Sequence, residues 1–188
     1  VPIYARIQEM FPEQLGKVDL DQFVEAVNKV TPGLIRTEAD ELSYSLHVLI
    51  RYEIEKMLIE EDLDVEKLPQ LWADKYEEYL GVRPENPAEG VLQDIHWSQG
   101  SFGYFPSYAL GSAFGAQLYY HMKEIMDFDG LLREGKVDVI RDYLREHIHR
   151  YGKLKDSRQI LKDVTGEDFK PEYYVRYLKE KYSAVYGL

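Results

Sequence analysis

Residues 37–60, TEADELSYSLHVLIRYEIEKMLIE, carry the clearest helical pattern in the chain. Thr37 followed by Asp40 resembles a capping box, in which side chains bond the free amides at the start of a helix. Apolar residues then recur every three or four positions, which predicts one face turned toward a core. These residues are Ala39, Leu42, Leu46, Leu49, Ile50, Ile54, Met57 and Leu58. The segment therefore predicts a long amphipathic helix from Thr37 to about Glu60.

Helical spacing also dominates the rest of the chain, and no segment alternates apolar and polar residues as a half-buried strand does. Residues 82–89, with Pro84 and Pro87, are predicted to form a loop. Pro106 fits the first turn of a helix, where its missing N–H is tolerated. The predicted helices cover residues 3–11, 21–30, 37–60, 68–80, 106–126, 137–151, 157–164 and 171–186. The helical spacing predicts an all-α fold. Because no linker is long enough to divide domains, we expect residues 1–188 to form a single helical unit.

Composition limits the classes of partner. Of 188 residues, 45% are hydrophobic and 30% charged, so the chain can bury a sizeable core. The formal net charge of -11 disfavours nucleic acid, whose phosphates would be repelled. The absence of cysteine excludes disulfides and fits a reducing compartment. Since no apolar run approaches the ~20 residues that span a bilayer, and the first residues lack a signal peptide, we expect a cytoplasmic protein without nucleic-acid or membrane partners.

A run rich in glycine and aromatic residues, GVLQDIHWSQGSFGYFPSYALG, occupies residues 90–111. Glycine leaves gaps in a core, and buried Trp and Tyr side chains need hydrogen-bond partners. The composition of the run is therefore unusual for a purely hydrophobic core. It suits a surface that presents hydrogen-bond donors to a polar ligand. We expect this run to face a substrate.

His96 lies in this run, and Gln93 and Asp94 precede it as candidate orienting partners. A histidine held in this way can donate a hydrogen bond to an oxyanion or act as an acid. The alternative is a core histidine whose hydrogen bonds are satisfied by Asp94.

Tyr104 and Tyr108 flank Pro106. If Pro106 begins a helix, both phenols lie at its N-terminus, where backbone N–H groups and the helix dipole support negative charge. A phenol is also a neutral donor at pH 7. The alternative is that both are packing residues, because the chain holds 16 tyrosines.

Arg36 follows two apolar residues and precedes the predicted helix at residues 37–60. A guanidinium at such a junction can bind a carboxylate through two parallel hydrogen bonds. The alternative is a salt bridge to Glu38 or Asp40.

Few residues have the spacing of metal ligands. His121 and Glu124 are three apart on a predicted helix, a pattern that di-iron bundles use twice and that occurs once here. The zinc motif HExxH is absent from the sequence. A metal-binding bundle built on His121 and Glu124 is therefore only a third interpretation.

Two motifs resemble those of the thermostable metallocarboxypeptidases of peptidase family M32, the carboxypeptidase Taq family. Residues 90–97, GVLQDIHW, match the pattern GxxQDxHW, and residues 35–40, IRTEAD, match I(R/T)xxA(D/N). The runs ELSYSLH, GYFPSYALG and REHIHRYG are also similar to that family, in the same order. The resemblance covers essentially the whole chain.

This resemblance implies a neurolysin-like architecture, in which an array of helices forms one wall of a peptidase groove. It implies a zinc hydrolase, with cobalt as an alternative metal, that releases C-terminal residues from peptides with broad specificity, usually as a homodimer. Family members hold zinc through HExxH and a glutamate on a following helix. Because this sequence lacks both, the resemblance implies a C-terminal portion with no metal ligands of its own. It would need an upstream HExxH-containing segment and be inactive alone.

The resemblance also implies roles for individual residues. His96 and Tyr108 would be catalytic and stabilise the tetrahedral oxyanion. Arg36 would bind the terminal carboxylate of the substrate, with Tyr104 helping to shape or bind there. The alternative function is a non-catalytic helical module derived from such an enzyme, whose apolar faces bind a partner or a second copy.

Overall fold

A computed structural model describes residues 2–61 and 63–188, and these ranges contain only α-helices, short 3-10 turns and loops. The expectation of an all-α fold is therefore confirmed. In chain order the α-helices are α1 (Pro2–Met10), α2 (Pro12–Leu15), α3 (Leu20–Val27), α4 (Glu41–Glu60), α5 (Leu68–Leu80), α6 (Pro106–Ile125), α7 (Phe128–Glu134), α8 (Val137–His147), α9 (Ser157–Thr165) and α10 (Glu172–Tyr186). Among these helices, none combines the length and the apolar character needed to cross a bilayer.

The backbone divides into two compact units, one of residues 28–111 and one of residues 2–27 with 112–188. In the unit of residues 28–111, α4 packs along α5. Their shared core consists of Ile50, Ile54, Trp72, Tyr76 and Leu80. After α5 the chain leaves the helix at Gly81, whose φ of 68° is the left-handed conformation that glycine adopts readily. The loop that follows, with 3-10 turns at Val91–Gln93 and Trp97–Gln99, leads to α6 and carries His96 and Tyr104, two of the four predicted site residues.

The other unit contains helices from both ends of the sequence. Tyr4 is buried on α1, and its hydroxyl donates to the carbonyl of Val18 at 2.7 Å. Gln117 of α6 is 1% exposed, and its amide bonds the carbonyl of Asp168 and the N–H of Lys170. This buried amide fixes the segment before α10.

The start of α4 differs from the prediction. The helix begins at Glu41, and its N-cap is Asp40, whose carboxylate accepts from the N–H of Ser43 at 2.9 Å. Residues Arg36–Glu38 form a 3-10 turn, and Ala39 is extended. The prediction of a capping box at Thr37 is therefore wrong, because Asp40 itself is the N-cap of α4.

The buried face of α4 is also more polar than predicted. Leu42 and Leu49 are 38% and 36% exposed, whereas Ser43 and, on the next three turns, three larger polar residues are buried. These are His47, Arg51 and Glu55, which we call the polar stripe of α4. The apolar-face prediction is confirmed at Ile50 and Ile54 and is wrong at Leu42 and Leu49.

The other helix predictions hold within a few residues at each end, with three differences. The four-residue helix α2 (Pro12–Leu15) was not predicted. The predicted helix over 137–151 breaks at Ile148, whose backbone leaves the helical region, and a separate 3-10 turn follows at His149–Tyr151. Helix α7 was not predicted; Asp127 caps it by accepting from the N–H of Gly130 at 3.0 Å. Pro106 is the first residue of α6 and residues 82–89 form a loop, as predicted.

Candidate active site

Arg36 is buried at the centre of the site, in the 3-10 turn before α4. Its Nε and Nη2 both donate to Asp94, at 3.1 and 2.7 Å to Oδ1. Its Nη1 donates to the hydroxyl of Tyr44 at 3.1 Å, and its backbone N–H donates to Oε1 of Gln93 at 2.9 Å. Because a guanidinium has five N–H groups, these bonds to described residues use one of the two hydrogens on each terminal nitrogen. The partner of Arg36 is therefore Asp94, and the expected alternatives Glu38 and Asp40 are wrong.

A second arginine completes this ion cluster. Arg51, fully buried on α4, donates from Nε to Oδ2 of Asp94 at 2.6 Å and from Nη2 to Oε1 of Gln93 at 2.9 Å. Its Nη1 donates to the carbonyl of His47 at 2.8 Å and to the hydroxyl of Tyr76 at 3.0 Å. We call Arg36, Asp94 and Arg51 the ion cluster. One carboxylate thus serves two guanidiniums, and the amide of Gln93 bonds both arginines.

The ion cluster keeps its charges despite burial. Burial raises the pKa of the Asp94 carboxyl, but the hydrogen bonds from Arg36 and the charges of Arg36 and Arg51 hold that pKa below its usual range. Burial lowers the pKa of the Arg36 guanidinium, but its bonds to Asp94 hold that pKa above the usual value. The Asp94 carboxylate and the Arg36 guanidinium are therefore both charged at neutral pH.

His96 and Tyr108 form a direct pair beside the ion cluster. Nε2 of His96 lies 3.1 Å from the hydroxyl of Tyr108. Nδ1 of His96 is buried, has no hydrogen-bond partner among the described residues, and lies 3.9 Å from Oδ1 of Asp94. The expectation that Gln93 and Asp94 orient His96 through hydrogen bonds is therefore wrong. Both of those side chains hold the arginines, and Tyr108 bonds the imidazole.

Aromatic rings connect this pair to Arg36. The Arg36 guanidinium lies over the ring of Tyr108, 4.9 Å from its centroid. The ring of Tyr104 is 5.6 Å from that of His96 and 5.4 Å from that of Tyr108, and 51% of Tyr104 is exposed. Phe105 is 1% exposed and lies below them, 4.4 Å from the His96 ring. The structure thus brings together Arg36, His96, Tyr104 and Tyr108, all within the unit of residues 28–111.

The first turn of α6 does not offer free amides to a ligand, contrary to the expectation for its N-terminus. The N–H groups of Ser107 and Tyr108 donate to the carbonyls of Tyr104 and Phe105, at 3.0 and 3.1 Å. Pro106 has no N–H. The donors near the pair are therefore side chains rather than backbone.

Several residues that build the site were not identified from the sequence. Arg51 and Glu55 lie within a helical pattern, where a charged side chain usually indicates the solvent face. Their spacing was the available signal, because His47, Arg51 and Glu55 recur every four residues among buried apolar neighbours. The apolar periodicity of this helix does not reveal the polar stripe beside it.

The described residues do not provide a metal site. In residues 2–61 and 63–188, no group of three or more His, Cys, Asp or Glu side chains could hold a metal ion. His121 and Glu124 lie together on α6 without a third such ligand in that part of the chain. The third interpretation, a metal-binding bundle, therefore gains no support.

Comparisons with known proteins agree on one family. The profile of the carboxypeptidase Taq (M32) metallopeptidase family matches residues 2–182. Carboxypeptidase 1 of Bacillus subtilis is 50% identical over 188 residues, which are 100% of this chain and 38% of that protein. Thermostable carboxypeptidase 1 of Pyrococcus furiosus is 42% identical over 181 residues, or 96% of this chain and 36% of that protein.

A solved structure gives the same result. The M32 carboxypeptidase from Deinococcus radiodurans superposes with a TM-score of 0.93 at 33% sequence identity, over 98% of this chain and 38% of that structure. The chain spans less than two fifths of the length of the relatives that it matches. The profile nevertheless matches nearly every residue, and the chain belongs to the carboxypeptidase Taq (M32) family of metallopeptidases.

Proposed function

We propose that this chain forms the substrate-binding and oxyanion-stabilising side of a metallocarboxypeptidase active site. The observation that carries the proposal is the hydrogen-bonded pair of His96 and Tyr108, with the Arg36 guanidinium over the Tyr108 ring. Both units would belong to one catalytic domain of a longer enzyme. Its reaction would be hydrolysis of the last peptide bond of a substrate.

His96 and Tyr108 would stabilise the oxyanion that develops on the scissile carbonyl. Because Nε2 and the hydroxyl oxygen are 3.1 Å apart, one substrate oxygen can lie within hydrogen-bond distance of both. When Nε2 carries the imidazole hydrogen, both groups are donors, and donors placed in advance favour the transition state over the ground state. The core around Phe105 would keep both rings in place.

Arg36 would bind the terminal carboxylate of the substrate. Its bonds to Asp94 and Tyr44 fix the plane of the guanidinium and use one hydrogen on each terminal nitrogen, so that the other would bind the ligand. Tyr104, half exposed and next to both rings of the pair, would line the place where the last residue binds. A bound carboxylate fixes the register of the peptide, so that only its last bond is cut.

The metal of this family would be bound outside the residues described here, because they hold no fitting set of ligands. The proposed roles of His96, Tyr108, Arg36 and Tyr104 are therefore performed by their own side chains and do not depend on binding a metal. We propose zinc, with cobalt as the alternative, bound by an upstream HExxH segment. Broad specificity, a homodimer and a cytoplasmic location are proposed with it, and they rest on the family resemblance.

A chimera tests the proposed function. It joins this chain to the part of Bacillus subtilis carboxypeptidase 1 that the chain does not match. We expect the chimera to release C-terminal residues from peptides when metal is added, and the 188-residue chain alone to release none. A folded, metal-loaded chimera without activity would instead favour the non-catalytic interaction module.

The role of Arg36 is tested in the same chimera with free and amidated peptides. Arg36→Lys keeps the positive charge but loses the paired donors, so we expect KM for free-ended peptides to rise about 10-fold. The control is Arg83→Lys, which changes an arginine paired with Asp74 and Glu77 at the surface. Equal losses on free-ended and amidated peptides would contradict the carboxylate-binding role.

A further inference from the structure

Glu55 is a buried carboxylate that the proposed mechanism does not use. It lies on α4, one turn after Arg51, and only 7% of it is exposed. Oε2 accepts from the indole N–H of Trp97 at 2.9 Å, and Oε1 accepts from the backbone N–H of Gly103. One carboxylate therefore joins the two ends of the loop that runs from residue 97 to residue 103.

Both ends of this loop are covalently next to site residues. Trp97 follows His96, and Gly103 precedes Tyr104. The Trp97 ring also packs edge-on against the buried rings of Trp72 and Phe105, with centroids 6.0 and 5.9 Å away. The hydrogen bonds to Glu55 consequently restrain the backbone on either side of the aromatic site.

The carboxylate of Glu55 matches the two donors that it contacts. Both partners are N–H donors, and a carboxylate offers two acceptor oxygens, whereas a glutamine offers one acceptor and one donor. Gly103 has a φ of 77°, so its N–H is directed at Oε1 by a left-handed turn that favours glycine. The residue types at both ends of the contact therefore fit the geometry.

We propose that Glu55 is a positioning residue for the His96–Tyr108 pair. It would act through Trp97 and Gly103, by fixing the loop whose ends carry the aromatic side chains of the site. The polar stripe of α4 then has two separate tasks, since Arg51 holds Asp94 and Glu55 holds the loop. The catalytic consequence rests on the proposed function, but the positioning of His96 does not.

Glu55→Gln tests this proposal, with Glu53→Gln as the matched control. Glu53 lies on the same helix and bonds the Tyr79 hydroxyl and the Lys75 ammonium of α5, both at 2.8 Å. It thus joins α4 to α5 without contacting the loop. One substitution removes the charge of the buried Glu55 and the other that of the partly buried Glu53, so a general loss of stability would appear in both variants.

The first readout is nuclear magnetic resonance of the 188-residue chain. In Glu55→Gln we expect the Trp97 indole proton to exchange with solvent about 10-fold faster or more, because one donor now faces another donor. We also expect the imidazole nitrogen shifts of His96 to change, as its bond to Tyr108 becomes less populated. The Glu53→Gln variant should leave both signals in place.

The second readout is the kinetics of the chimera defined above. Small displacements of catalytic groups act mainly on the chemical step. We therefore expect Glu55→Gln to lower kcat about 10-fold or more, with KM within about 2-fold of the unsubstituted chimera, and Glu53→Gln to leave both unchanged. Unchanged His96 signals, or equal kinetic losses in both variants, would overturn the positioning role.

A second substitution covers the case in which Glu55→Gln does not fold. A Cβ added at Gly103 meets only Oε1 of Glu55 within 4 Å, at 4.0 Å, so Gly103→Ala introduces backbone strain without a severe clash. It should move the N–H away from Glu55 and change the His96 signals in the same way. If the unsubstituted chimera is inactive, the proposed function fails, and the His96 signals of the 188-residue chain alone decide the positioning role.

Discussion

At the scale of single residues, the site depends on how one carboxylate is shared. Asp94 bonds both arginines of the ion cluster, which offset the cost of burying its charge. Among the described residues, that arrangement leaves Nδ1 of His96 without a hydrogen-bonded carboxylate, and Nε2 pairs with Tyr108 instead. The sequence placed His96, Tyr108 and Arg36 in one predicted site, and the structure brings these three side chains together. The sequence did not indicate which acidic residue Arg36 would bind, because Asp94 is 58 positions away in the chain.

Tyr108→Phe removes one donor of the pair and keeps the ring. We expect kcat of the chimera to fall about 100-fold, the usual loss when one oxyanion donor is removed. The measurement is steady-state kinetics together with metal content, which should not change because Tyr108 would act on the substrate. The exposed Tyr52→Phe on α4 serves as the control. Unchanged turnover would remove Tyr108 from the mechanism.

His47 predicts how stability depends on pH. Burial, and then the charge of Arg51, lower the pKa of the His47 imidazole to about 4. In the unfolded chain the pKa of the His47 imidazole is near 6.5. As the pH falls, the imidazole therefore takes up a proton in the unfolded state before it does so in the folded state. The free energy of unfolding should therefore fall between about pH 6.5 and pH 4, by about 3 kcal/mol in total.

Denaturant unfolding at pH 7 and pH 4.5 measures this loss. His47→Gln keeps a polar side chain but cannot titrate, so its stability should fall less over the same interval. Other carboxyl groups contribute similarly to both proteins, and the difference between the two isolates His47. Parallel losses in the two proteins would show that His47 is not the group responsible.

At the scale of helices, apolar periodicity predicted the positions of the helices well. It predicted the residue types on their buried faces less well. Helix α5 was predicted with its observed ends because Gly81 stops it in the left-handed conformation. Helix α4 begins four residues later than predicted, because Asp40 and not Thr37 supplies its N-cap. The polar stripe was missed because its partners, Tyr76, Gln93, Asp94 and the loop of residues 97–103, come from elsewhere in the chain. Local spacing does not show which distant groups will satisfy a buried charge.

The cap of α4 can be assigned by substitution. Asp40→Ala removes the acceptor for the N–H groups of Ser43 and Thr31. We expect it to lower the free energy of unfolding by about 1–2 kcal/mol, as for other N-cap replacements. Thr37→Ala is the control and should change that quantity by less than about 0.5 kcal/mol. A larger effect at Thr37 than at Asp40 would restore the capping box that the sequence suggested.

At the scale of the molecule, the two family motifs have a structural role, because residues of one motif hydrogen-bond to residues of the other. Within the unit of residues 28–111, Arg36 from one motif and Gln93 and Asp94 from the other are bonded directly to each other. Arg51, which lies outside both motifs, also donates hydrogen bonds to Gln93 and Asp94. The motif residues therefore stabilise the fold of this unit and also place the candidate site.

Arg51→Met tests whether the ion cluster holds this unit together. The substitution leaves Asp94 buried with one guanidinium, and breaking such a buried pair costs about 3–5 kcal/mol. Both tryptophans, Trp72 and Trp97, lie in this unit, so denaturant unfolding followed by their fluorescence reports its stability. Arg83→Met is the control, because its partners Asp74 and Glu77 are exposed and surface pairs contribute about 0–1 kcal/mol. Similar losses in the two variants would mean that the ion cluster does not stabilise the fold of this unit.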